Sequence, residues 1–461
     1  MKITVLNGSP KGMTSVTMQY IHYIQKAFPT HKLNIINISQ DIKRIEMGNQ
    51  IFDDILNEIE SSDGILWAFP VYFYLVPANY KRFIELIMER GAKEVFRNRY
   101  TACISTSIHF FDHTAHNYMH AICDDLNMKY LGSFSADMYD LEIPKETETL
   151  CMFIENFFYS IKNNITTSKR FSPLSMQDFY YTPGNVNEIL DSGANKIIII
   201  SDHLDHQYNL IKMIERFKAS FTNEIEVINL RELDIKRSCM GCINCGYDNK
   251  CVYEYKDEFI DFFNTKIMTA DILIWAGAIK DRYLSAKWKT FFDRSFFYGH
   301  VPVLKGKQIG FIISGPLSQI PNLRQIMEAY VDNQHANIVD FVTDEFGDSA
   351  EIDSLLNNLG KRSIRFANSG YISPHTFLSE GGAKILRDNI WGRFRFPIRA
   401  DYLFFKRHGM FDFPQKEYKI RILNKIMLFL SKSPKYRKEV NKRMKNEMIK
   451  PLQKVLDKIT L

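Results

Sequence analysis

The same alternation of strand-like and helix-like segments is written twice in this chain. Short apolar runs at 2–6, 33–38, 64–69, 101–105 and 130–137 alternate with helix-period segments at 15–28, 51–59, 77–90, 114–126 and 147–162. A stretch rich in Asn, Thr, Ser, Pro and Gly, 164–194, interrupts the pattern. It then restarts, with apolar runs at 196–200, 224–230, 272–276, 308–314 and 338–343. The helix-period segments between and after them are 208–221, 257–268, 285–297, 323–333 and 351–367. Strands separated by helices must run parallel, because each crossover returns the chain to the same end of the sheet, and the helices cover both faces. The expectation is an α/β protein with two tandem doubly wound parallel sheets. The domains would be 1–163, a linker at 164–194, 195–370, and a helical extension at 371–461.

The halves are related residue by residue. An offset of 208 aligns Asp63 with Asp271, Trp67 with Trp275, Ala78 with Ala286, Lys81 with Lys289 and Phe83 with Phe291. The first strands align at 194, Leu6 with Ile200. The second half therefore has 14 extra residues between its first and third strands, and the 13-residue stretch from Cys239 to Cys251 falls in that interval. Trp67 and Trp275 lie on apolar runs and read as core.

At 461 residues, with 45% hydrophobic and 24% charged, the composition suits folded domains and excludes extended disorder. No apolar run approaches the roughly 20 residues of a membrane span. The N-terminal run turns polar at Asn7, so no signal peptide is expected and the location read from the sequence is cytoplasmic. Of the seven cysteines, Cys103, Cys123 and Cys151 are scattered, Cys103 reading as a small core hydrophobe. The other four cluster. In a reducing compartment such a cluster reads as a metal or redox site rather than as disulfides.

Two loops carry chemistry in the first half. Asn7-Gly8-Ser9-Pro10-Lys11-Gly12-Met13-Thr14-Ser15 follows a strand and precedes a helix opened by Val16. Backbone N–H groups, hydroxyls, a helix N-terminus and Lys11 can together hold a phosphate, although an ordinary capped turn has the same letters. The second loop, Pro70-Val71-Tyr72-Phe73, ends the third strand. Loops after the first and third strands meet at the switch point of such a sheet. There a rigid Pro turn and an aromatic side chain can hold a planar ring.

These two loops resemble the flavodoxin-like NAD(P)H-dependent FMN reductases. The match is Gly8-Ser9-Pro10-Lys11 with Thr14-Ser15, then Pro70-Val71-Tyr72 and the following 76–83; Thr14 stands where the family has Asn. The resemblance implies two flavodoxin-like sheets and FMN bound by Ser9, Lys11, Thr14, Ser15, Val16, Pro70, Val71, Tyr72 and Phe73. It also implies a third flavin loop at Ser105, Thr106 and Ser107, and NAD(P)H as a co-substrate. In the second half Asp202 and His203 replace Gly8 and Ser9, and Ala278 and Lys280 replace Pro70 and Tyr72. A carboxylate repels a phosphate, so no FMN is expected there, and 201–206 reads as a polar surface turn.

Cys239-Met240-Gly241-Cys242-Ile243-Asn244-Cys245 and Cys251 give the spacing C-x2-C-x2-C-x5-C. Four thiolates from one short loop can hold a [4Fe–4S] cluster or a Zn ion, or remain redox thiols. The loop resembles the compact cysteine motif of iron–sulfur flavoproteins, in which the flavin of one subunit lies near the cluster of its neighbour. A fused pair would keep one such pairing: FMN on the first half, a cluster on Cys239, Cys242, Cys245 and Cys251, and electrons passing between them. NAD(P)H or a ferredoxin-type donor would feed the pair. The alternatives are an FMN or quinone reductase with a Zn-bound or vestigial cysteine loop, and a non-enzymatic binding protein. No catalytic side chain stands out. The partners expected are a small-molecule or protein redox partner, with no specific nucleic-acid readout, and homo-oligomers are compatible with the sequence.

Charge is uneven. Residues 401–461 hold 16 Lys and Arg against 6 Asp and Glu, in a chain whose total is +6. A basic helical segment of this kind reads by default as a solvated face. It also suits an acidic partner or an anionic membrane surface. Its apolar stripe, from Leu423 and Ile426 to Leu452 and Val455, is expected to dock on the body.

Overall fold

The computed structural model describes residues 1–458. It divides into two compact units, 1–404 and 405 onward. The first unit contains two five-stranded sheets, every neighbouring pair parallel. The first sheet is built from β1 (Lys2–Asn7), β2 (Lys32–Asn37), β3 (Gly64–Pro70), β4 (Tyr100–Ser107) and β5 (Lys129–Asp137), in the order 2-1-3-4-5. The second uses β6 (Ile197–Ser201), β7 (Glu226–Asn229), β8 (Ile272–Ala278), β9 (Gln308–Ser314) and β10 (Asn337–Thr343), in the equivalent order 7-6-8-9-10. This is the flavodoxin-like doubly wound arrangement. Its central strands are apolar on both faces because helices cover both.

The two halves share one core. Their outer faces have separate apolar clusters, but a single continuous cluster runs from Trp67, Phe83 and Ile84 to Trp275, Phe291 and Phe292. At its centre the helices Ala78–Glu89 and Ala286–Arg294 face each other. The Ala78 N–H donates to Asp293 Oδ2 at 2.8 Å, and the Ala286 N–H donates to Glu85 Oε1 at 2.6 Å. Each pair maps onto the other by the 208-residue offset. The halves are thus packed about a pseudo-two-fold axis, with a carboxylate from each helix on the first turn of the other. Lys81 reaches across to Asp281 at 2.9 Å, and its counterpart Lys289 reaches across to the Tyr72 carbonyl at 2.8 Å.

The segment 164–194 forms no helix or strand but is strapped to the surface. Arg170 and Phe171 donate their N–H groups to Asp124 Oδ2, and buried Tyr181 bonds Asp353. The helix expected over 257–268 shortens to Phe259–Phe262 and widens into a π turn at Phe263–Ile267, where Phe259, Phe262 and Phe263 all pack on Phe291. The 201–206 turn is less superficial than its polarity suggests. Asp202 is buried and bonded by the Ser285 hydroxyl, while Arg231 Nε donates to its carbonyl at 2.6 Å. The second unit holds the helices Tyr418–Leu430 and Pro434–Leu456, joined by a short turn, with Tyr436 Oη 3.3 Å from Met427 Sδ. No helix of the described residues is long and apolar enough to cross a membrane.

Candidate functional site

Three loops at the carboxyl ends of β1, β3 and β4 surround a cleft of about 270 Å³. In the first, Asn7 Oδ1 accepts the Ser9 N–H at 2.9 Å, and the Ser9 hydroxyl accepts the Lys11 N–H at 3.3 Å. Gly12 takes a left-handed φ of +59°, which closes the loop onto its helix. Ser15 caps the helix Val16–Ala27 by accepting from the Met18 N–H. In the second loop the Val71 N–H donates to the Thr106 carbonyl. Tyr72 and Leu75 exchange backbone bonds of 2.8 and 3.1 Å around Phe73 and Tyr74, both at positive φ. Two consecutive bulky residues in the left-handed region are costly, and the surroundings must impose the turn. Lys289 of the second half does so by holding the Tyr72 carbonyl. The third loop is tied to the first by Thr17 and Thr106, whose hydroxyls lie 2.6 Å apart.

Ser9, Lys11, Ser15, Val16, Pro70, Val71, Tyr72, Phe73, Thr106 and Ser107 all line this cleft. Thr14 and Ser105 do not. Thr14 is exposed and bonds the Lys11 carbonyl, and Ser105 is buried with its hydroxyl 2.7 Å from His116 Nε2. The sequence reading missed Thr17, Tyr74 and Phe110 of the first half. On the far wall it named only Cys239, as a cluster ligand to be paired with the flavin, and missed Gly241, Ile243, Asp293, Phe296 and His300, with Leu386 and Phe394 beyond them. Those residues reach the cleft only through the pseudo-two-fold packing, which no local pattern announces.

The walls suit a planar aromatic cofactor with a phosphate. One end offers Ser9, Lys11, Ser15 and a helix N-terminus, and the rest is predominantly apolar and aromatic. Tyr74 Oη, buried and without a hydrogen-bond partner, is a polar group left for a ligand to satisfy. Burial pushes the Tyr72 and Tyr74 phenols well above their ordinary range and keeps them neutral.

His300 stands on the far wall with its Nδ1 2.7 Å from Asp401 Oδ2. Both side chains are largely buried. The carboxylate fixes the orientation of the ring through Nδ1.

The cysteine loop lies against the flavin-type loops. Gly241, at φ +63°, approaches Tyr72 so closely that a Cβ there would lie 1.9 Å from Tyr72 Oη and 3.3 Å from Lys11 Cε. Arg294 fastens both ends of the loop: it donates to the Arg237 carbonyl at 2.9 Å and forks onto Asp257 at 2.6 and 2.9 Å. Burial alone would raise the Asp257 carboxyl, but the guanidinium outweighs it and holds it below its usual range. Cys239, Cys242, Cys245 and Cys251 line one small cavity with Arg294, Tyr253 and Phe296. Burial pushes the Cys239 thiol up to about 12.

Among the described residues, no three His, Cys, Asp or Glu side chains are drawn together tightly enough to hold a single metal ion. Four cysteines of one short loop lining a shared cavity are a donor set of the kind that both a Zn ion and an iron–sulfur cluster use.

Fold and cleft together define a flavodoxin-like protein of the flavin-reductase type. The sequence matches the NADPH-dependent FMN reductase family over residues 1–139 and 195–344, both sheets, and the chain belongs to that family. It is an oxidoreductase family. An iron–sulfur flavoprotein of Archaeoglobus fulgidus is 32% identical over 108 residues, covering 23% of this chain and 47% of that protein. The chain thus spans about half the length of the curated relative it matches. Among solved structures, FerB, an NAD(P)H:acceptor oxidoreductase from Paracoccus denitrificans, matches 35% of this chain and 97% of its own at 17% identity and a TM-score of 0.31. An FMN-dependent NADH-azoreductase from Bacillus anthracis, solved with FMN, matches 36% and 99% at 13% identity and 0.26.

Proposed function

We propose that this protein is an FMN-dependent NAD(P)H oxidoreductase in which electrons pass between FMN in the first-half cleft and a [4Fe–4S] cluster on Cys239, Cys242, Cys245 and Cys251. The observation that carries this reading is shared lining: Cys239, Ile243 and Phe296 belong both to the flavin-type cleft and to the cysteine cavity. When bound, FMN supplies two-electron hydride chemistry and a cluster supplies one-electron transfer. The chain's own contribution is placement. Ser9, Lys11 and Ser15 hold the phosphate, the Pro70–Tyr72 backbone and Phe73 position the ring, and Phe110, Phe296 and Phe394 exclude water. Arg294 offsets the negative charge that four thiolates would gather. The iron–sulfur relative supports the cysteine assignment.

The test is flavin, iron and sulfide quantitation on anaerobically prepared protein. About one FMN and four irons per chain are expected, and Cys239→Ser should lower iron and sulfide while keeping flavin. Flavin without stoichiometric iron would remove the cluster. Ser9→Asp should weaken FMN binding at least about tenfold, by setting a carboxylate against the phosphate. Unchanged affinity would remove the site.

The His300–Asp401 pair favours a second use of the same cleft, direct reduction of a small acceptor that must take up a proton with its electrons. In this reading His300, which lines the cleft with its Nδ1 on Asp401, delivers that proton. His300→Asn should lower turnover of a quinone about a hundredfold while leaving flavin reduction by NAD(P)H within about twofold in stopped flow. Equal loss in both steps would deny His300 this role.

A further inference from the structure

The helical pair beyond residue 417 joins two features that the redox reading does not use. In Tyr418–Leu430 no residue is buried, and Ile422, Leu423, Ile426 and Phe429 are each more than half exposed. They recur at helical spacing on one side, while Arg421, Asn424 and Lys425 lie on the other with exposed Leu428 among them. In Pro434–Leu456 a second stripe, Met448, Leu452 and Val455, is exposed in the same way.

Charge is the other feature. Tyr418–Leu430 contains no acidic residue, and Pro434–Leu456 carries eight Lys and Arg against two Glu. Those glutamates are engaged by Arg443 and Lys450, so the surplus is not neutralised within the helix. The family match ends at 344, so the segment is an addition to the family's two sheets.

We propose that residues 418–456 form a peripheral membrane anchor, lying along the surface of a bilayer rich in anionic lipid. An acidic protein or a nucleic acid would answer the charge but leave the apolar stripes in water. A second copy of the chain would cover the stripes but bring two strongly basic segments together. An anionic bilayer answers both, with acyl chains under Leu423, Ile426 and Phe429 and headgroups around the lysines. Neither signal suffices alone, since apolar insertion of this size is reversible and surface attraction is screened by salt.

The test is flotation of the full chain with phosphatidylcholine vesicles and with vesicles containing about one quarter phosphatidylglycerol. The protein should float with the anionic vesicles and at least about tenfold less with the neutral ones. Raising the salt from about 50 to 500 mM should release it to a similar degree. Leu423→Glu/Phe429→Glu should lose at least about tenfold in binding with unchanged far-UV dichroism and thermal midpoint. Lys435→Gln/Lys438→Gln/Lys442→Gln should lose binding to anionic vesicles while keeping the weak neutral background. Failure of the wild type to float with anionic vesicles, or binding indifferent to the Leu423 and Phe429 changes, would overturn the proposal. Self-association abolished by those changes without vesicle binding would assign the face to a second copy and overturn it equally. None of these readouts depends on flavin or iron.

Discussion

Gly241 answers two demands that no other residue meets. Its φ of +63° disfavours a side chain, and Tyr72 and Lys11 occupy the space a Cβ would need. Gly241→Ala should therefore cost of order 1–3 kcal/mol and move the cysteine loop off the flavin loop. The check is FMN affinity together with chemical denaturation, and a change in neither would mean the two loops are not in register. His109 gives a prediction in pH. Its Nδ1 lies 2.9 Å from Asp112, and that hydrogen bond raises the imidazole above its ordinary value. A raised histidine stabilises the fold below about pH 6.5 and loses that contribution as pH rises through the folded value. The thermal midpoint of the wild type should accordingly fall relative to His109→Asn between about pH 6 and 8; parallel curves would contradict the pairing. At this scale the sequence was readable wherever backbone and side chain act locally, as in Ser9, Lys11 and the Pro70 turn. It was unreadable for His300, whose partner Asp401 lies a hundred residues onward in a helix outside both repeats.

The paired helices Ala78–Glu89 and Ala286–Arg294 explain why the 208-residue offset is strongest where it is. Ala78, Lys81 and Phe83 match Ala286, Lys289 and Phe291 because both sets build one self-complementary interface. The repeat was legible, but not the reason for it, because a buried lysine reads in sequence as a solvated one. Lys81 is fully buried between Glu85 and Asp281, at 3.0 and 2.9 Å. Lys81→Met should destabilise the chain by about 3–5 kcal/mol, since buried Asp281 loses its cation and Glu85 keeps only Arg82. Lys81→Met/Asp281→Leu should recover part of the loss. Recovery is the informative result: it separates an unpaired charge from a packing defect, which the second substitution would worsen. The cysteine loop shows the opposite balance. Its spacing was plain, but its position over the first half depends on Arg294 and Asp257, two charged residues with no distinguishing local pattern.

Across the whole molecule, the two sheets are unequal: the cleft described above opens on the loops of the first. The second half keeps the sheet but fills the equivalent corner with Asp202, bonded to Ser285 and beside Arg231. It contributes instead the far wall of the first half's cleft. Two consequences can be measured together. Flavin should titrate to one per chain, and a second equivalent bound with similar affinity would contradict the assignment of roles. Because one core runs through both sheets, FMN bound to loops of the first should stabilise the second as well. At a hundredfold excess over Kd the gain is about 2.7 kcal/mol. Hydrogen exchange should show that gain in β8 and β9, far in sequence from the phosphate loop, as fully as in β1 and β3. Protection confined to residues before 164 would mean that the halves open independently, and that the shared core does not couple them.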